Sequence, residues 1–428
     1  MKDTYLLKTE NAQRLYRNFA RDLPIIDYHN HLSVADILNN RRFDNLTELW
    51  IASDPYKHRL MRICGVEEYF ITGGASPYEK FEKFCGIYPC LAGNPVYDWS
   101  RMELSQVFGI GEIPNKDNAK RIYETAGEML QSPEFSHNAI LGRFNVAYQS
   151  PVASLLDDLS LYDGHYVAPS LRGDSLLDPT PEFSAQLRHV AGRRITDVDS
   201  YIRAVAVVLD RFSEAGCHFA DHALDAGFFE ADRDGKQTDI LKRLGIEYAK
   251  RGWTLLLHLD AKRKTSSRLA KLAGPAGGYA AVGGNFALSS VCDLLGDMES
   301  GGGLPDTVLF PLNMSDQASL AVMQGSFSED GTAAKVQLGP AWWWCDHALG
   351  IRNTLSCIAS FGVLSRFIGM TTDSRNVLSF MRHDYFRRLL CSWLDEQNER
   401  EEWGMSQKSM EEIVRKICYQ SALDKINR

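Results

Sequence analysis

Short apolar runs recur along the chain, separated by stretches long enough to hold a helix. This spacing is typical of repeated βα units and favours an α/β fold over a sandwich or a helical bundle. Several runs end in polar residues, and barrel enzymes carry their sites at the carboxyl ends of their strands. The pattern predicts strands at residues 23–29, 165–171, 218–224, 253–259, 306–312, 334–340 and 366–372.

Two segments depart from this alternation. Residues about 34–130 contain aromatic and charged helical sequence, which we interpret as a helical insertion over the mouth of the strands. Beyond about residue 395 the sequence predicts helices that continue to residue 428. Because 44% of the 428 residues are apolar and no linker is evident, we expect one domain spanning residues 1–428.

Composition narrows the classes of function. The formal net charge of −8 argues against a nucleic-acid partner, since such proteins usually carry a basic face. No window approaches the roughly 18 uninterrupted apolar residues of a membrane span, and the first twenty residues lack the apolar core of a signal peptide. Nine cysteines without CxxC pairs fit reduced thiols. We therefore expect a cytoplasmic protein with neither a membrane nor a nucleic-acid partner.

The first candidate for chemistry is His29-Asn30-His31, at the end of the apolar run LPIID. Residues i and i+2 of a strand project from the same face, so both imidazoles can point into one barrel mouth. Neutral imidazoles are good ligands for zinc and similar divalent ions. Two surface histidines in a loop are the alternative.

The second candidate is Asp373-Ser374-Arg375, which follows the apolar run RFIGM. Asp373 can ligate a metal or act as a base, although an N-cap aspartate beside an exposed arginine would give the same pattern. His222 and His258 also end apolar runs. His258 is predicted to contact substrate or metal, whereas His222 could equally be a hydrogen-bonded core residue.

The chain resembles the uronate isomerase family of the amidohydrolase superfamily over nearly its whole length. The segments that carry the resemblance are LPIIDYHNHLS, RFDNLTELW, YKHRLMR, GNPVYDW, VAPSLR, ADHALD, AWWWCDH and LSRFIGMTTDSRNVLSFMRHDYFRRLLC. The resemblance implies a distorted (β/α)8 barrel of the amidohydrolase type, a divalent metal ion, and interconversion of glucuronate or galacturonate with their keto forms. It also implies that His29, His31 and Asp373 form the metal site, with Arg375 beside it. Tyr56 and Arg172 fall in motifs that contact the substrate.

Aldose–ketose isomerisation moves a proton between C2 and C1 and needs a base and stabilisation of an enediolate. Our hypothesis assigns catalysis to Asp373, Arg375 and Tyr56. Arg172 or Arg375 would hold the substrate carboxylate, because a guanidinium fork binds a carboxylate through two hydrogen bonds. His258 and His222 are the remaining candidates for substrate contact. The expected metal is one zinc ion, with iron, manganese or cobalt as alternatives.

Several positions beside these motifs depart from the family pattern, including the following four. Pro55 replaces a histidine, Gln149 an aspartate, His218 an arginine and Asp260 a glycine. Because we expect these positions near strand ends where substrate lies, they indicate altered specificity.

Three other functions remain as alternatives. They are a metal-dependent hydrolase, an isomerase of a different sugar acid, and a non-catalytic sugar-acid-binding protein. We expect a homo-oligomer in each case.

Overall fold

The computed structural model describes residues 2–284, 287–400 and 403–427. Its centre is a sheet of seven parallel strands whose order in space follows their order in the chain. A separate antiparallel pair, β6 and β7, lies outside this sheet. The strands are β1 (Ile25–Asn30), β2 (Val146–Ser154), β3 (Ser170–Arg172), β4 (Phe219–Leu224), β5 (Thr254–Leu259), β6 (Ala261–Lys262), β7 (Ala281–Val282), β8 (Asp306–Pro311) and β9 (Val336–Leu338).

Helices follow most strands and cover the outer face of the sheet. Short 3₁₀ turns and two π-helical turns, Tyr16–Ala20 and Lys416–Gln420, supplement the α-helices. The α-helices of the described residues are α1 (Glu10–Leu15), α2 (Val34–Leu38), α3 (Leu46–Trp50), α4 (Pro55–Ile63), α5 (Pro77–Ile87), α6 (Pro95–Phe108), α7 (Ala119–Leu130), α8 (His137–Arg143), α9 (Asp174–Leu177), α10 (Pro181–Ala191), α11 (Val198–Glu214), α12 (Phe228–Ala231), α13 (Lys236–Lys250), α14 (Ser267–Ala273), α15 (Leu288–Gly301), α16 (Gln317–Val322), α17 (Ala348–Phe361), α18 (Met381–Arg400), α19 (Gln407–Arg415) and α20 (Ser421–Ile426).

The strands are buried on both faces, as expected for a parallel sheet covered by helices. Every residue of β1, β5 and β8 is buried, and β4, β5 and β8 pair in register over their full length. The predicted α/β class is confirmed, and so are the predicted strands at 23–29, 218–224, 253–259, 306–312 and 334–340, apart from their ends.

The prediction of a strand at 366–372 is wrong. This segment contains no regular strand, yet it lies beside β1, where the backbone N–H of Asp373 donates to the carbonyl of His29 at 3.1 Å. On its other side the Gln337 side chain in β9 accepts a hydrogen bond from the N–H of Ile368 at 2.9 Å. Gly369 has a φ of +89°. Because the backbone turns at Gly369, the segment forms hydrogen bonds to side chains in place of a regular ladder of backbone hydrogen bonds. It nevertheless fills the gap in the sheet between β9 and β1.

Two further strand boundaries differ from the prediction. Strand β2 was not predicted, because Gln149, Ser150 and Pro151 interrupt its apolar pattern, and β2 pairs with β1 irregularly. The predicted strand at 165–171 shrinks to β3, with one isolated bridge between Val167 and Gln149.

Four helices begin in the same way, with a polar N-cap residue followed by proline in the first turn. The most relevant is α4, in which the Asp54 side chain accepts hydrogen bonds from the backbone N–H groups of Tyr56 and Lys57. This cap fixes the first turn of α4, so Tyr56 enters the site at a defined position.

Helices α2 to α7 lie between β1 and β2 in the chain, and α18 to α20 form its C-terminal part. The division into one barrel domain with an insertion stays a prediction. None of the helices within the described ranges is both long and apolar enough to cross a membrane.

Candidate active site

His29, His31 and Asp373 meet at the carboxyl end of the sheet. The Nε2 atoms of His29 and His31 lie 3.4 and 2.9 Å from Oδ1 of Asp373. The two histidines reach this point because β1 sends alternate side chains to the same face. Asp373 reaches it because its segment runs alongside β1, where the N–H of His31 donates to the carbonyl of Ser374 at 2.8 Å.

The Asp373 backbone and side chain are both held firmly. Its φ of +47° lies in the left-handed region, which non-glycine residues rarely adopt. The indole Nε1–H of Trp342 donates to Oδ2 of Asp373, which leaves Oδ1 facing the histidines. Trp342, Trp343 and Trp344 all line the pocket.

Asp27 stabilises the two backbone segments that carry His29, His31 and Asp373. Its buried carboxylate accepts hydrogen bonds from the Asn30 side chain at 3.0 Å and the N–H of Thr372 at 2.9 Å. His383 Nε2 lies 2.9 Å from Oδ2 of Asp27. His383 therefore supports β1 through Asp27 and does not line the pocket.

A second group of metal-binding atoms shares His29. His29, Asp221 and His258 place ligand atoms within 4.8 Å of one another, and all three residues are buried. Nδ1 of His29, Oδ1 of Asp221 and Nε2 of His258 have no hydrogen-bond partner among the residues that the structure describes. Buried polar atoms are normally satisfied, so the chemistry of this cluster fits a cation or a polar ligand.

Burial and neighbouring charges set the protonation states of the candidate metal ligands. Burial lowers the pKa of His31 to about 4, so its imidazole is neutral at pH 7. Burial acts to raise the pKa of Asp373, but hydrogen bonds from His29 and His31 outweigh it and hold this pKa well below its usual range. Metal ligands must be neutral imidazoles and ionised carboxylates, and His31 and Asp373 are in that state. Burial acts to lower the pKa of His29, but the Asp221 and Asp373 carboxylates outweigh it and raise this pKa, so a cation bound by His29 would displace its proton. Burial raises the pKa of Asp221 to about 6.

Asp221 lines the pocket but was not predicted as a site residue, whereas the adjacent His222 was. His222 points to the outer side of β4, where its Nε2 lies 2.9 Å from the Tyr248 hydroxyl, and it is fully buried. His222 does not line the pocket that contains Asp221. The prediction that His222 contacts substrate therefore does not fit its position, and the alternative of a hydrogen-bonded core residue does. His258 does line the pocket, with its ring centroid 4.5 Å from that of Trp342 at an interplanar angle of 50°.

Four arginines line the pocket, and three of them already have a carboxylate partner. Arg172 pairs with Asp174 at 3.0 Å, Arg263 with Asp225 at 2.9 Å and Arg382 with Asp346 at 3.0 Å. Arg375 is exposed in the cavity and forms no ion pair with any carboxylate of the described residues. Burial and the nearby Arg172 and Arg263 guanidinium groups lower its pKa. A substrate anion would relieve that repulsion.

Tyr56 lines the opposite wall, with its hydroxyl donating to Oδ2 of Asp346 at 2.7 Å. Every predicted site residue except His222 thus lies around one pocket. The sequence did not identify Asp221, Trp342, Asp346 or Arg382 as site residues, although AWWWCDH and the arginines of α18 were visible signals.

The positions that depart from the family pattern are scattered. Pro55 lines the pocket, and the Asp260 side chain accepts a hydrogen bond from the N–H of Gly284 at 2.8 Å. Gln149 is buried in β2 and does not line the pocket. His218 precedes the first residue of β4, so it lies at the end of the strand away from the mouth. The expectation that all four positions surround the substrate is wrong for His218.

Comparison with known proteins gives the same assignment over the full length. The model of the glucuronate isomerase family matches residues 1–244 and 230–425. The chain belongs to this family. It is 35% identical to the uronate isomerase of Oceanobacillus iheyensis over 456 residues, which covers 99% of this chain and 97% of that relative.

Solved structures of the glucuronate isomerase family have the same fold. A crystal structure of uronate isomerase from Thermotoga maritima matches with a TM-score of 0.89 at 25% identity, covering 100% of this chain and 99% of that one. Glucuronate isomerase from Caulobacter crescentus matches with a TM-score of 0.87 at 20% identity, covering 100% and 96%. The predicted fold, a distorted barrel of the amidohydrolase type, is confirmed.

Proposed function

We propose that this chain interconverts hexuronates with their keto forms, glucuronate with fructuronate and galacturonate with tagaturonate. The observation that carries the proposal is that His29, His31 and Asp373 meet in one pocket with Arg375, whose guanidinium has no carboxylate partner among the described residues. This pocket combines ligands for a divalent cation with a free binding group for a carboxylate. Membership of the glucuronate isomerase family supports the same reaction.

His29, His31 and Asp373 would hold one divalent metal ion, and we propose zinc. Two imidazoles and one carboxylate suit zinc and leave positions open for substrate oxygens, while iron, manganese and cobalt accept the same ligands. When bound, the ion supplies Lewis-acid polarisation of a sugar oxygen.

Arg375 is the proposed anchor of the substrate carboxylate, because the other pocket arginines have carboxylate partners in the protein. Two parallel hydrogen bonds from one guanidinium would fix both the position and the orientation of the sugar. Arg172 lies on the same side of the site, with Nη1 3.5 Å from Nδ1 of His31, and would contact a sugar oxygen. His258 would form part of the floor under the reacting carbons.

Asp373 and Tyr56 are the proposed proton carriers. The forward reaction removes the proton from C2, delivers a proton to C1 and moves a hydroxyl proton from O2 towards O1, so no net proton is gained or lost. Asp373 is ionised and would take the C2 proton. Tyr56, whose hydroxyl faces the pocket wall, would exchange the proton at the sugar oxygen.

The test is incubation of metal-quantified protein with glucuronate and with galacturonate in D2O, followed by ¹H NMR. We expect the keto isomer, with deuterium at the carbon that receives the proton. Asp373→Asn should abolish both signals. Asp232→Asn is the matched control, since Asp232 is a buried carboxylate that caps a distant helix. A folded Asp373→Asn variant with full activity would refute the proposed base and ligand.

A second candidate is isomerisation of a different sugar acid. Pro55 lines the pocket directly before Tyr56, where the family pattern has a histidine that could hydrogen-bond a sugar hydroxyl. A panel of uronic and aldonic acids in the same NMR assay separates the two candidates. Cleavage products instead of an isomer would favour the hydrolase alternative, and binding without turnover would favour the non-catalytic one. Assembly as a homo-oligomer and a cytoplasmic location stay predictions from the sequence.

A further inference from the structure

Tyr56 is held by a carboxylate that also binds an arginine. Its hydroxyl donates to Oδ2 of Asp346 at 2.7 Å, and Nη1 of Arg382 donates to the same oxygen at 3.0 Å. Asp346 and Arg382 are each only 6% exposed. A buried ion pair of this kind is costly to break, because removal of one partner leaves an uncompensated charge.

The Tyr56 ring is also fixed in orientation. The rings of Trp99 and Trp344 meet it nearly edge to face, with centroids 5.4 and 5.1 Å away. The guanidinium of Arg382 lies 5.6 Å from the centroid of Tyr56 and 5.1 Å from that of Trp99. Arg382 therefore contributes to the site twice, through its ion pair with Asp346 and through its position over two aromatic rings.

We propose that Asp346 and Arg382 are positioning residues that act through Tyr56. The proposal rests on the proposed function, in which Tyr56 exchanges a proton with the sugar. A phenol has one O–H donor, and Asp346 engages it, so the oxygen lone pairs of Tyr56 are left to face the pocket. Tyr56 is thereby set to accept a hydrogen bond from a sugar hydroxyl. As that hydroxyl gives its proton to Tyr56, the phenol proton passes to Asp346, and the return transfer restores both groups.

The charge of Arg382 is what keeps Asp346 in the accepting state. Burial raises the pKa of Asp346, while the Arg382 guanidinium and the hydrogen bond from Tyr56 oppose this rise. Without Arg382, a protonated Asp346 could donate to Tyr56 and turn its hydroxyl proton towards the pocket. Arg382 and Asp346 thus decide whether Tyr56 presents an acceptor or a donor to the substrate.

The decisive experiment is a double-mutant cycle with Tyr56→Phe and Asp346→Asn. We expect each single variant to lower kcat by at least tenfold with a change in KM of less than threefold, since the substrate anchor is elsewhere. In the Tyr56→Phe background, Asp346→Asn should lower kcat by less than twofold further, because there is no phenol left to position. Arg382→Lys, which keeps the charge, should retain more activity than Arg382→Met.

A matched control separates positioning from general loss of stability. Asp306 forms a buried ion pair with Lys425 at the opposite end of β8, and its side chain is 7% exposed, the same as that of Asp346. Asp306→Asn should lower the melting temperature without lowering kcat at a temperature where the protein is folded. The proposal would be overturned if the kcat of the Tyr56→Phe/Asp346→Asn double variant fell by the product of the two single-variant factors. It would also be overturned if Asp346→Asn had the kcat of the wild type.

A spectroscopic readout tests the contact without activity. In protein labelled with ¹³C at the Tyr ζ carbon, the Tyr56 resonance is assigned by its loss in Tyr56→Phe. We expect Asp346→Asn and Arg382→Met to shift this resonance and Asp306→Asn to leave it unchanged. If the Tyr56 resonance does not shift in these variants, the positioning role of Asp346 and Arg382 is refuted. If the wild-type protein turns over no hexuronate, the proposed function is refuted, and this resonance still tests whether Asp346 and Arg382 position Tyr56.

Discussion

Replacing Arg375 with lysine tests how the pocket holds a carboxylate. Arg375 lines the cavity and is the pocket arginine that lacks a carboxylate partner among the residues the structure describes, whereas Arg172, Arg263 and Arg382 are each paired at about 3 Å. Lysine keeps the positive charge but cannot form the two parallel hydrogen bonds of a guanidinium. Arg375→Lys therefore isolates the loss of one charge-assisted hydrogen bond.

The size of the effect follows from that loss. A hydrogen bond to a charged group contributes about 1.5–3 kcal/mol, which corresponds to a roughly 10- to 150-fold fall in kcat/KM. Arg263→Lys is the matched control, because Arg263 lines the same pocket but is engaged by Asp225 at 2.9 Å. We expect less than a fivefold effect from that variant.

The assay is kcat/KM for glucuronate and galacturonate, measured by isomer formation, with binding of each sugar acid measured by calorimetry. Each measurement is repeated with the neutral aldose that carries a hydroxymethyl group in place of the carboxylate. The Arg375→Lys penalty should largely disappear for the neutral sugar, since it has no anion to lose. An equal penalty for acid and neutral sugar, or equal losses in Arg375→Lys and Arg263→Lys, would refute the assignment of the carboxylate to Arg375.

Three further predictions concern the fold and the metal. Gly369→Ala should lower the free energy of unfolding by about 3 kcal/mol or more, because its Cβ would lie 2.1 Å from the carbonyl oxygen of Ile417 at a φ of +89°. Gly65→Ala, also at positive φ but with no atom within 4 Å, should cost only about 1–2 kcal/mol in the same urea titration. Burial lowers the pKa of His222 to about 4, so the unfolded chain binds more protons below pH 6.5 and stability falls on acidification. We expect the wild type to lose about 2 kcal/mol more than His222→Gln between pH 7.5 and pH 5, and equal losses would contradict a neutral buried imidazole. Chelation should lower the melting temperature, and Zn²⁺ at 100 times its Kd should restore about 2.7 kcal/mol in wild type but not in His31→Asn.

Local rules allowed the sequence to predict the fold class and part of the site. Apolar runs at the spacing of βα units predicted five of the seven strands of the sheet, because burial of a parallel strand on both faces demands continuous apolar sequence. The two-residue period of β1 was enough to place His29 and His31 on one face. Asp373 and Arg375 could be identified because they directly follow an apolar run that lies beside β1.

Where the apolar pattern was ambiguous, the tertiary structure decided which side chain faces the pocket. In β4, both Asp221 and His222 are buried, so the apolar pattern does not reveal which of them faces the pocket. A shift of one residue exchanges the inner and outer faces of a strand, and the pairing of β4 with its neighbours sets that phase. The irregular segment around Gly369 escaped prediction for a related reason, since its hydrogen bonds come from side chains of other strands.

The contacts around Tyr56 could not be predicted from the sequence either. Tyr56 and Asp346 are 290 positions apart in the chain, and Arg382 comes from a third element, α18. No local periodicity links such residues, because only the closed barrel brings the start of α4, the loop after β9 and the first turn of α18 to the same wall. The sequence by itself determined which chemical groups stand at the ends of the strands, through propensity, alternation and capping. The tertiary structure decided which of those groups share a pocket, since long-range packing alone sets the distances between them.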